Sequence, residues 1–269
     1  MAENTVIVAK EGHVAILTLN RPETLNAWNR AMEREALAAL EDIGADAEVR
    51  VVILTGAGRG FSSGADVSRL ARGAEGSGKD RAGPGAGFAR WPGLVKFAHD
   101  LRELPQPVIG AINGVAAGAG VSVALACDIR IASDQARFSF VFVKRGLVPD
   151  SGATYFLPRL VGTARACELM LTGDYIDAHE AERLGIVNRV VPHDALMSES
   201  MALAARIASN PPMTIAAIKA AIHKGAVEPD LARQMDLEVY LNGIVVSSQD
   251  FKEAVKAYLE KREPHFIGR

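Results

Sequence analysis

Residues 112–122 read Ile-Asn-Gly-Val-Ala-Ala-Gly-Ala-Gly-Val-Ser. They continue the apolar run at 108–112, which has the length and composition of a buried strand. The small residues that follow are typical of a tight turn leading into a helix. The first N–H groups of a helix have no intrahelical acceptor and carry a partial positive charge, so this turn is suited to an anion.

A second stretch, 55–67, has the same arrangement, with Thr-Gly-Ala-Gly-Arg-Gly-Phe-Ser-Ser-Gly-Ala-Asp-Val after an apolar strand at 50–55. Either turn alone is explained by a tight strand-to-helix connection. Two such turns together could each place one N–H group on a single oxygen. Asp66, after Gly-Ala, is interpreted as a structural cap rather than as a catalyst.

Strands and helices alternate on both sides of these turns, as in βαβ architectures. The residue pattern predicts strands at 6–9, 14–19, 50–55, 108–112 and 128–132, and helices at 31–43 and 94–104. A capping-box helix begins at Asp177 and a strand follows at 186–191. Helical periods then cover 196–209, 213–224, 231–247 and 250–261. The pattern predicts an α/β core with a helical C-terminal region.

The segment 71–90 has six glycines and a proline, which predicts a long mobile loop that carries substrate contacts. Overall composition is ordinary for a globular chain of 269 residues, with 49% hydrophobic and 23% charged residues. A formal net charge of −2 without a basic run argues against nucleic acid as a partner. There is no uninterrupted apolar run of membrane-spanning length and no signal-peptide pattern, so we expect a cytoplasmic protein with no membrane partner. The two cysteines have no metal-binding spacing, and no metal is expected.

A third stretch, 145–154, places Asp150 after Pro149 and before Ser-Gly-Ala-Thr. Asp is a preferred helix N-cap, which gives one interpretation of this residue. A catalytic carboxylate is the other, and a cap at the edge of a site could do both.

Further motifs extend the pattern along essentially the whole chain. They are Leu-Asn-Arg-Pro at 19–22, Leu-Asn-Ala at 25–27, Gly-Ala-Gly-Arg-Gly-Phe at 56–61, Ser-Gly-Ala-Asp at 63–66, Asn-Gly-Val-Ala-Ala-Gly-Ala-Gly at 113–120, Cys-Asp at 127–128, Leu-Thr-Gly at 171–173 and Lys-Arg-Glu-Pro-His-Phe at 261–266. In this order they resemble the successive motifs of the crotonase superfamily, the enoyl-CoA hydratases and isomerases. The resemblance implies a crotonase-like spiral of ββα units over 1–195. It also implies a helical C-terminal trimerisation region over 196–269, in a homotrimer or homohexamer.

The resemblance also implies an acyl-CoA substrate whose thioester oxygen lies between the backbone N–H groups of Ala65 and Ala119. Such donors stabilise the charge that develops as an enolate forms. No cofactor is implied other than the coenzyme A of the substrate. The positions that match substrate or CoA contacts of the family are Asn26, Ala27, Ser63, Ala65, Asp66, Val67, Gly118, Ala119, Phe142, Pro149 and Lys261. Lys261 matches a position near the CoA phosphates, although a lysine in the last turn of a helix also interacts favourably with the helix dipole.

The sequence departs from the hydratases of the family, which use two glutamates where this chain has Ser122 and Phe142. Asp150 is then the one obvious acid/base in the matched segments, and an apolar neighbour such as Phe142 would disfavour the charged carboxylate. A single shuttling carboxylate suits double-bond migration. The motifs resemble especially the ring-epoxide isomerase of phenylacetyl-CoA degradation, so an isomerase that uses Asp150 is the first hypothesis.

Four alternatives stay open at this point. A hydratase could retain weak activity on Asp150, and an aryl-CoA dehalogenase-like enzyme would need a histidine base that has no clear candidate. A catalytically silent acyl-CoA binder could keep the fold. Residues 60–64 formally match the serine-hydrolase motif Gly-x-Ser-x-Gly, with Ser62 as nucleophile and Asp150 with His179 or His193 as partners. That motif, however, lies five residues beyond Thr55, and no separate oxyanion motif accompanies it.

Overall fold

The computed structural model describes residues 4–66, 91 and 93–269. Its main sheet has six strands in the order β1-β2-β3-β5-β7-β10. The first two form an antiparallel hairpin, and every later neighbour is parallel. The strands are β1 (Val6–Glu11), β2 (Val14–Leu19), β3 (Val51–Gly56), β5 (Val108–Ile112), β7 (Ile129–Ser133) and β10 (Arg189–Val191).

A second sheet has four short strands in the order β4-β6-β8-β9. They are β4 (Gly60–Ser62), β6 (Val115–Ala117), β8 (Arg137–Ser139) and β9 (Tyr175–Asp177). β4, β6 and β8 each follow a strand of the main sheet within a few residues and run parallel to one another. This alternation between two sheets confirms the expected ββα units of a crotonase-like α/β fold.

Helices pack against both faces of the main sheet. The bounds are α1 (Arg30–Ala45), α2 (Gly93–Glu103), α3 (Ala119–Ala126), α4 (Ala153–Val161), α5 (Thr163–Thr172), α6 (Ala178–Arg183), α7 (Leu196–Ala208), α8 (Pro212–Gly225), α9 (Leu231–Val245) and α10 (Gln249–Glu260). Each of them is too short or too polar to cross a membrane, as far as the structure describes the chain.

Strand β3 shows why the sheet lies in the middle of the core. Its residues Val52 and Leu54 join one apolar cluster with Trp28 and Phe97. The alternate residues of the strand join a second cluster, together with Leu196 and other residues of α7. Because successive side chains of a strand point to opposite faces, both faces of β3 are buried. The nearly all-apolar run at 50–55 predicted this burial, which the structure confirms.

The predicted strands and helices are confirmed where the periodic pattern is long. The strand expected at 186–191 is shorter, because its first residues form the turn after α6. The sequence pattern did not predict β4, β6, β8 and β9, which have three residues each, or α4 and α5. The loop predicted at 71–90 lies outside the described residues. The division between 195 and 196 stays a prediction, although α7 covers the outer face of the sheet.

A buried ion cluster joins the helix α8 to the core. Lys219 Nζ lies 2.8 Å from Asp128 Oδ2 and donates to the carbonyl of Gln106 at 3.0 Å. His223 Nε2 lies 2.8 Å from Asp128 Oδ1, and Arg102 approaches the same oxygen at 3.6 Å. These side chains are 8–24% exposed, so solvent screens the cluster poorly.

Burial and pairing oppose each other in this cluster. Burial disfavours the charged carboxylate of Asp128, but the hydrogen bond from His223 and the charge of Lys219 hold its pKa below the usual value. Burial lowers the pKa of Lys219, and Asp128 partly reverses this effect. The carboxylate of Asp128 therefore favours the charged form of the Lys219 ammonium group, against the effect of burial.

We expect Asp128→Asn to lower the free energy of unfolding at pH 7 by about 3–5 kcal/mol, because it leaves a buried ammonium group without its counter-charge. A lowered folded-state pKa contributes stability above the unfolded value, and this stability is lost as the pH falls through the folded value. The difference between variant and wild type should therefore shrink below about pH 4. Urea unfolding at pH 7 and pH 3.5, at fixed protein concentration, measures both effects.

The matched control is Asp46→Asn, which removes an exposed carboxylate 2.7 Å from Lys10. It should leave the unfolding midpoint nearly unchanged, because exposed ion pairs contribute little. Equal losses in the two variants would contradict a special role for the buried cluster.

Candidate active site

The two glycine-rich turns meet beside the second sheet. β4 and β6 pair in parallel, with Gly60 opposite Val115 and Ser62 opposite Ala116. The chain leaves β4 towards Gly64 and leaves β6 towards Gly118. Both turns therefore lie at the carboxyl ends of neighbouring strands of the second sheet.

The backbones of the two turns are in contact because Gly64 has no side chain. Gly64 has φ +90°, and a Cβ there would lie 2.8 Å from the carbonyl oxygen of Ala117 and 3.0 Å from the nitrogen of Ala119. On the other turn, a Cβ at Gly120 would lie 2.2 Å from the carbonyl oxygen of Ser62. These distances leave no room for a side chain at either position.

This contact places the backbone nitrogen of Ala119 beside Gly64, the residue before Ala65. Ala65 forms an isolated bridge with Trp28, in which Gly64 accepts from Trp28 at 2.8 Å and Asp66 donates to Trp28 at 3.1 Å. In such a bridge the N–H of the central residue points away from the partner. Ala119 is the first residue of α3, whose N–H has no intrahelical acceptor. Neither N–H donates a hydrogen bond to any acceptor in the described part of the chain.

Asn26 holds the first turn from behind. Its side chain is fully buried, donates to the carbonyls of Ala57 and Gly60 at 3.0 and 2.7 Å, and accepts from the N–H of Arg21 at 2.8 Å. Asn26 was predicted to contact the substrate, but its side chain is used entirely on the backbone and supports the turn. Its φ of +56° is one that asparagine tolerates better than most residues.

Arg21 connects the other predicted residues of this turn. Its guanidinium donates to the carbonyl of Ala27 at 2.6 Å and to Asp66 Oδ2 at 3.1 Å. Ser63 Oγ donates to the carbonyl of Thr24 at 3.0 Å. Asp66 therefore has a structural partner, as expected for a supporting rather than a reacting group. Val67 lies outside the described residues.

Ser62 is not a nucleophile in this arrangement. Its side chain has no exposed surface, and its Oγ donates to the carbonyl of Asn26 at 2.9 Å and accepts from the N–H of Gly64 at 3.2 Å. His193 instead lies 2.9 Å from Ser133 Oγ. The serine-hydrolase alternative is therefore wrong, because a nucleophile needs an accessible hydroxyl beside its base.

The segment that carries Asp150 begins against the second turn. Gly118 donates to the carbonyl of Ser139 at 3.0 Å, and a Cβ at Gly118 would lie 3.7 Å from Val141 Cγ1. Phe142 follows and is 5% exposed as part of the main apolar core. A short 3₁₀ helix, Val141–Arg145, then leads the chain outward.

Asp150 is exposed, and Pro149 before it is partly buried. The N-cap of α4 is Gly152, so the interpretation of Asp150 as an N-cap is wrong. Its carbonyl accepts from the N–H of Ala153 at 3.1 Å, in a turn that precedes the helix. Its carboxylate oxygen Oδ1 accepts a hydrogen bond from Ser151 Oγ at 3.0 Å.

The family of the chain is shown by its similarity to known proteins. A sequence model described as enoyl-CoA hydratase/isomerase matches residues 9–269, nearly the whole chain. The chain belongs to the enoyl-CoA hydratase/isomerase family. It is 39% identical to a 1,2-epoxyphenylacetyl-CoA isomerase from Escherichia coli, over 96% of this chain and 97% of that protein. It is 40% identical to a short-chain-enoyl-CoA hydratase from Clostridium acetobutylicum, over 98% and 97% of the two chains.

A solved structure gives the same assignment for the fold. The crystal structure of an enoyl-CoA hydratase from Bacillus anthracis superposes with a TM-score of 0.90 at 36% identity, covering 98% of this chain and 100% of that one. Relatives named as hydratases and relatives named as isomerases thus resemble this enoyl-CoA hydratase/isomerase to a similar degree. The names of the relatives therefore do not distinguish hydration from isomerisation as the reaction of this chain.

Positions 122 and 142, where the resemblance places glutamates in the hydratases of the enoyl-CoA hydratase/isomerase family, carry no carboxylate in this chain. Ser122 is fully buried in α3, and its Oγ lies 3.5 Å from the carbonyl of Gly118. Phe142 is packed in the core. The chain therefore has Asp150 but neither of the two glutamates that the resemblance assigns to the hydratases.

Lys261 lies at the end of α10 and does not belong to either of the two glycine-rich turns. It is exposed and has φ +52° as the C-cap of that helix. Within the described residues it has no hydrogen bond to the two turns or to Asp150. Its predicted contact with the CoA phosphates stays a prediction.

A cavity of about 620 Å³ lies beside the residues that follow Asp150. It is bounded by α2, α4 and α8, and its lining includes Trp91, His99, Ser151, Tyr155, Phe156 and His223. The sequence pattern did not indicate a role for the rings of Tyr155 and Phe156, although they follow Asp150 by only five and six residues.

We expect Gly64→Ala to destabilise the protein by about 2–4 kcal/mol, since the methyl group adds a contact with backbone atoms to the strain of a positive φ. Gly12→Ala is the matched control, because Gly12 has φ +58° with no atom within 4 Å of the added Cβ. It should cost only about 1 kcal/mol, the strain of a left-handed alanine. Chemical unfolding measures both variants, and equal losses would contradict the close approach of the two turns.

Proposed function

We propose that this chain is an enoyl-CoA isomerase that moves a double bond through an enolate, with Asp150 as the proton shuttle. The proposal rests on two observations: the N–H groups of Ala65 and Ala119 have no acceptor among the described residues, and the segment that begins against the second turn carries one exposed carboxylate, that of Asp150. The buried residues Ser122 and Phe142 supply no second acid or base. Relatives that act on CoA thioesters by name support the class of substrate.

The reaction follows from these groups when a 3-enoyl-CoA is the substrate. The carboxylate of Asp150 removes a proton from C2, and the electrons of that bond move towards the thioester carbonyl. The N–H groups of Ala65 and Ala119 donate to the resulting oxyanion, helped by the positive end of α3. The protonated Asp150 then returns its proton to C4, and the product is the conjugated 2-enoyl-CoA.

The thioester is the electron sink in this scheme, so the proposal needs no cofactor beyond the coenzyme A that the substrate carries. Each proton removed from carbon is returned to carbon, which balances the reaction without an added water. A single carboxylate is enough for this cycle. Hydration would in addition need a base that activates water.

Hydration is the second candidate, and the hydratase names of many relatives favour it. It predicts loss of the conjugated thioester absorbance when a 2-enoyl-CoA is added. The proposed isomerase predicts no such loss.

We expect wild-type protein to convert a 3-enoyl-CoA to the 2-enoyl-CoA, and Asp150→Asn to do so about 10²–10⁴-fold more slowly, since the amide cannot accept the proton. Mass spectrometry of products formed in deuterated water measures conversion and deuterium uptake at C2 and C4. Asp174→Asn, which changes an exposed carboxylate paired with Lys144 at 2.7 Å, is the control and should keep full activity. An unimpaired Asp150→Asn variant would contradict the role of Asp150, and binding without turnover by wild type would indicate a silent acyl-CoA binder.

We also propose that the chain assembles as a homotrimer or homohexamer through its C-terminal helices. The helix α9 presents Leu231, Met235 and Val239 at four-residue spacing, with 55–73% of each side chain exposed. Tyr258 and Leu259 on α10 are 84% and 74% exposed. Several large exposed apolar side chains on one helix face are typical of a protein interface.

We expect Val239→Glu to shift the protein from trimer or hexamer to smaller species in sedimentation velocity, because a buried unpaired carboxylate is costly. Glu238→Lys is the matched control on the neighbouring exposed residue and should not change the distribution. A monomeric wild-type protein would contradict the proposed assembly.

A further inference from the structure

The turn between Pro149 and α4 contains a buried hydroxyl that the proposed mechanism does not use. Ser151 is 4% exposed, and its Oγ donates a hydrogen bond of 3.0 Å to Asp150 Oδ1. A serine beside an exposed aspartate would normally point to water. Here the hydroxyl is withdrawn from solvent and directed at the carboxylate.

The backbone at this point adopts a conformation that serine rarely has. Ser151 has φ +52°, and the next residue, Gly152, has φ +86°. Two consecutive left-handed residues are unfavourable unless the surrounding structure fixes them. Strained residues of this kind concentrate at functional sites, where the strain holds a group in position.

The aromatic wall of the cavity fixes the turn from the other side. A Cβ at Gly152 would lie 2.5 Å from Phe156 Cε2, so this ring packs directly on the glycine. Arg102 lies over the same ring at 5.4 Å from its centroid. Ser151 and Gly152 also line the cavity of about 620 Å³.

We propose that Ser151 is a positioning residue, whose hydroxyl holds the Asp150 carboxylate in the orientation that proton transfer needs. This inference rests on the proposed function, in which Asp150 carries the proton. A hydrogen bond from a hydroxyl to a carboxylate is charge-assisted and directional, so it limits rotation of the carboxylate about its side-chain bonds. The buried, left-handed backbone fixes the hydroxyl, and the hydroxyl fixes the carboxylate.

Two variants separate the effect of the Ser151 hydroxyl from the effect of its left-handed backbone. Ser151→Gly removes the hydroxyl and relieves the left-handed strain, whereas Ser151→Ala removes the hydroxyl and keeps the strain. We expect both to lower kcat for 3-enoyl-CoA isomerisation by about 10-fold, the size of a lost hydrogen bond to a charged group. KM should stay within about 2-fold of wild type, since the hydroxyl acts on the reacting carboxylate rather than on binding.

Thermal unfolding provides the structural control. Ser151→Gly should be at least as stable as Ser151→Ala, because glycine adopts a positive φ without strain. Equal losses of kcat in two variants of different stability would support a role for the hydroxyl itself. A normal kcat in Ser151→Gly, with a loss only in Ser151→Ala, would assign the effect to the backbone and overturn the inference.

The double variants Asp150→Asn/Ser151→Gly and Asp150→Asn/Ser151→Ala show whether Ser151 acts through Asp150. If it does, removing the hydroxyl costs no further activity once the carboxylate is gone, and the energies are non-additive. A further loss of about 10-fold in the Asp150→Asn background would overturn the inference. Full activity of Asp150→Asn alone would instead contradict the proposed function, so the two failures are distinguishable.

Discussion

The close approach of two backbone turns, at Gly64 and Gly120, is the constraint on which the rest of this structure depends. A side chain at either position would meet main-chain atoms at 2.8 Å or less. The strands β4 and β6 pair so that these turns touch, and the fully buried Asn26 supports the first turn from behind. The second, smaller sheet therefore determines where the backbone N–H groups of Ala65 and Ala119 lie.

The proposed chemistry uses two backbone donors and one side chain, that of Asp150. Backbone N–H groups cannot be lost by ordinary substitution, so the site depends on conformation more than on residue identity at Ala65 and Ala119. Asp150 is different, because its place is set by a strained turn and by the ring of Phe156 packed on Gly152. The same α/β framework can therefore keep its oxyanion site while the acid/base groups vary, and members of one family can carry different reaction names.

Much of the fold could be predicted from the sequence, and the reasons are physical. The run at 50–55 is apolar at nearly every position because both faces of β3 are buried, and the helical periods of α7 to α10 are long. The strands β4, β6, β8 and β9 were missed because three residues carry too little periodicity. Contact between the two glycine-rich turns was expected from their similar sequences, and the shared role of Ala65 and Ala119 stays a prediction. The burial of the Asn26 side chain and the bond from Ser151 to Asp150 were not expected, because both depend on positive φ values at non-glycine residues.

The strand order has a consequence for how the chain reaches this structure during synthesis. In both sheets the strands lie side by side in the order in which they occur along the chain. Each ββα unit can therefore dock on the one before it as soon as it leaves the ribosome, and no early strand has to wait for a late one to be inserted beside it. The exception is Asp128, whose partner Lys219 is separated from it by some ninety residues of chain. Until α8 has been made, this carboxylate must stay hydrated, so docking of α8 against the core is expected to be a late step of folding.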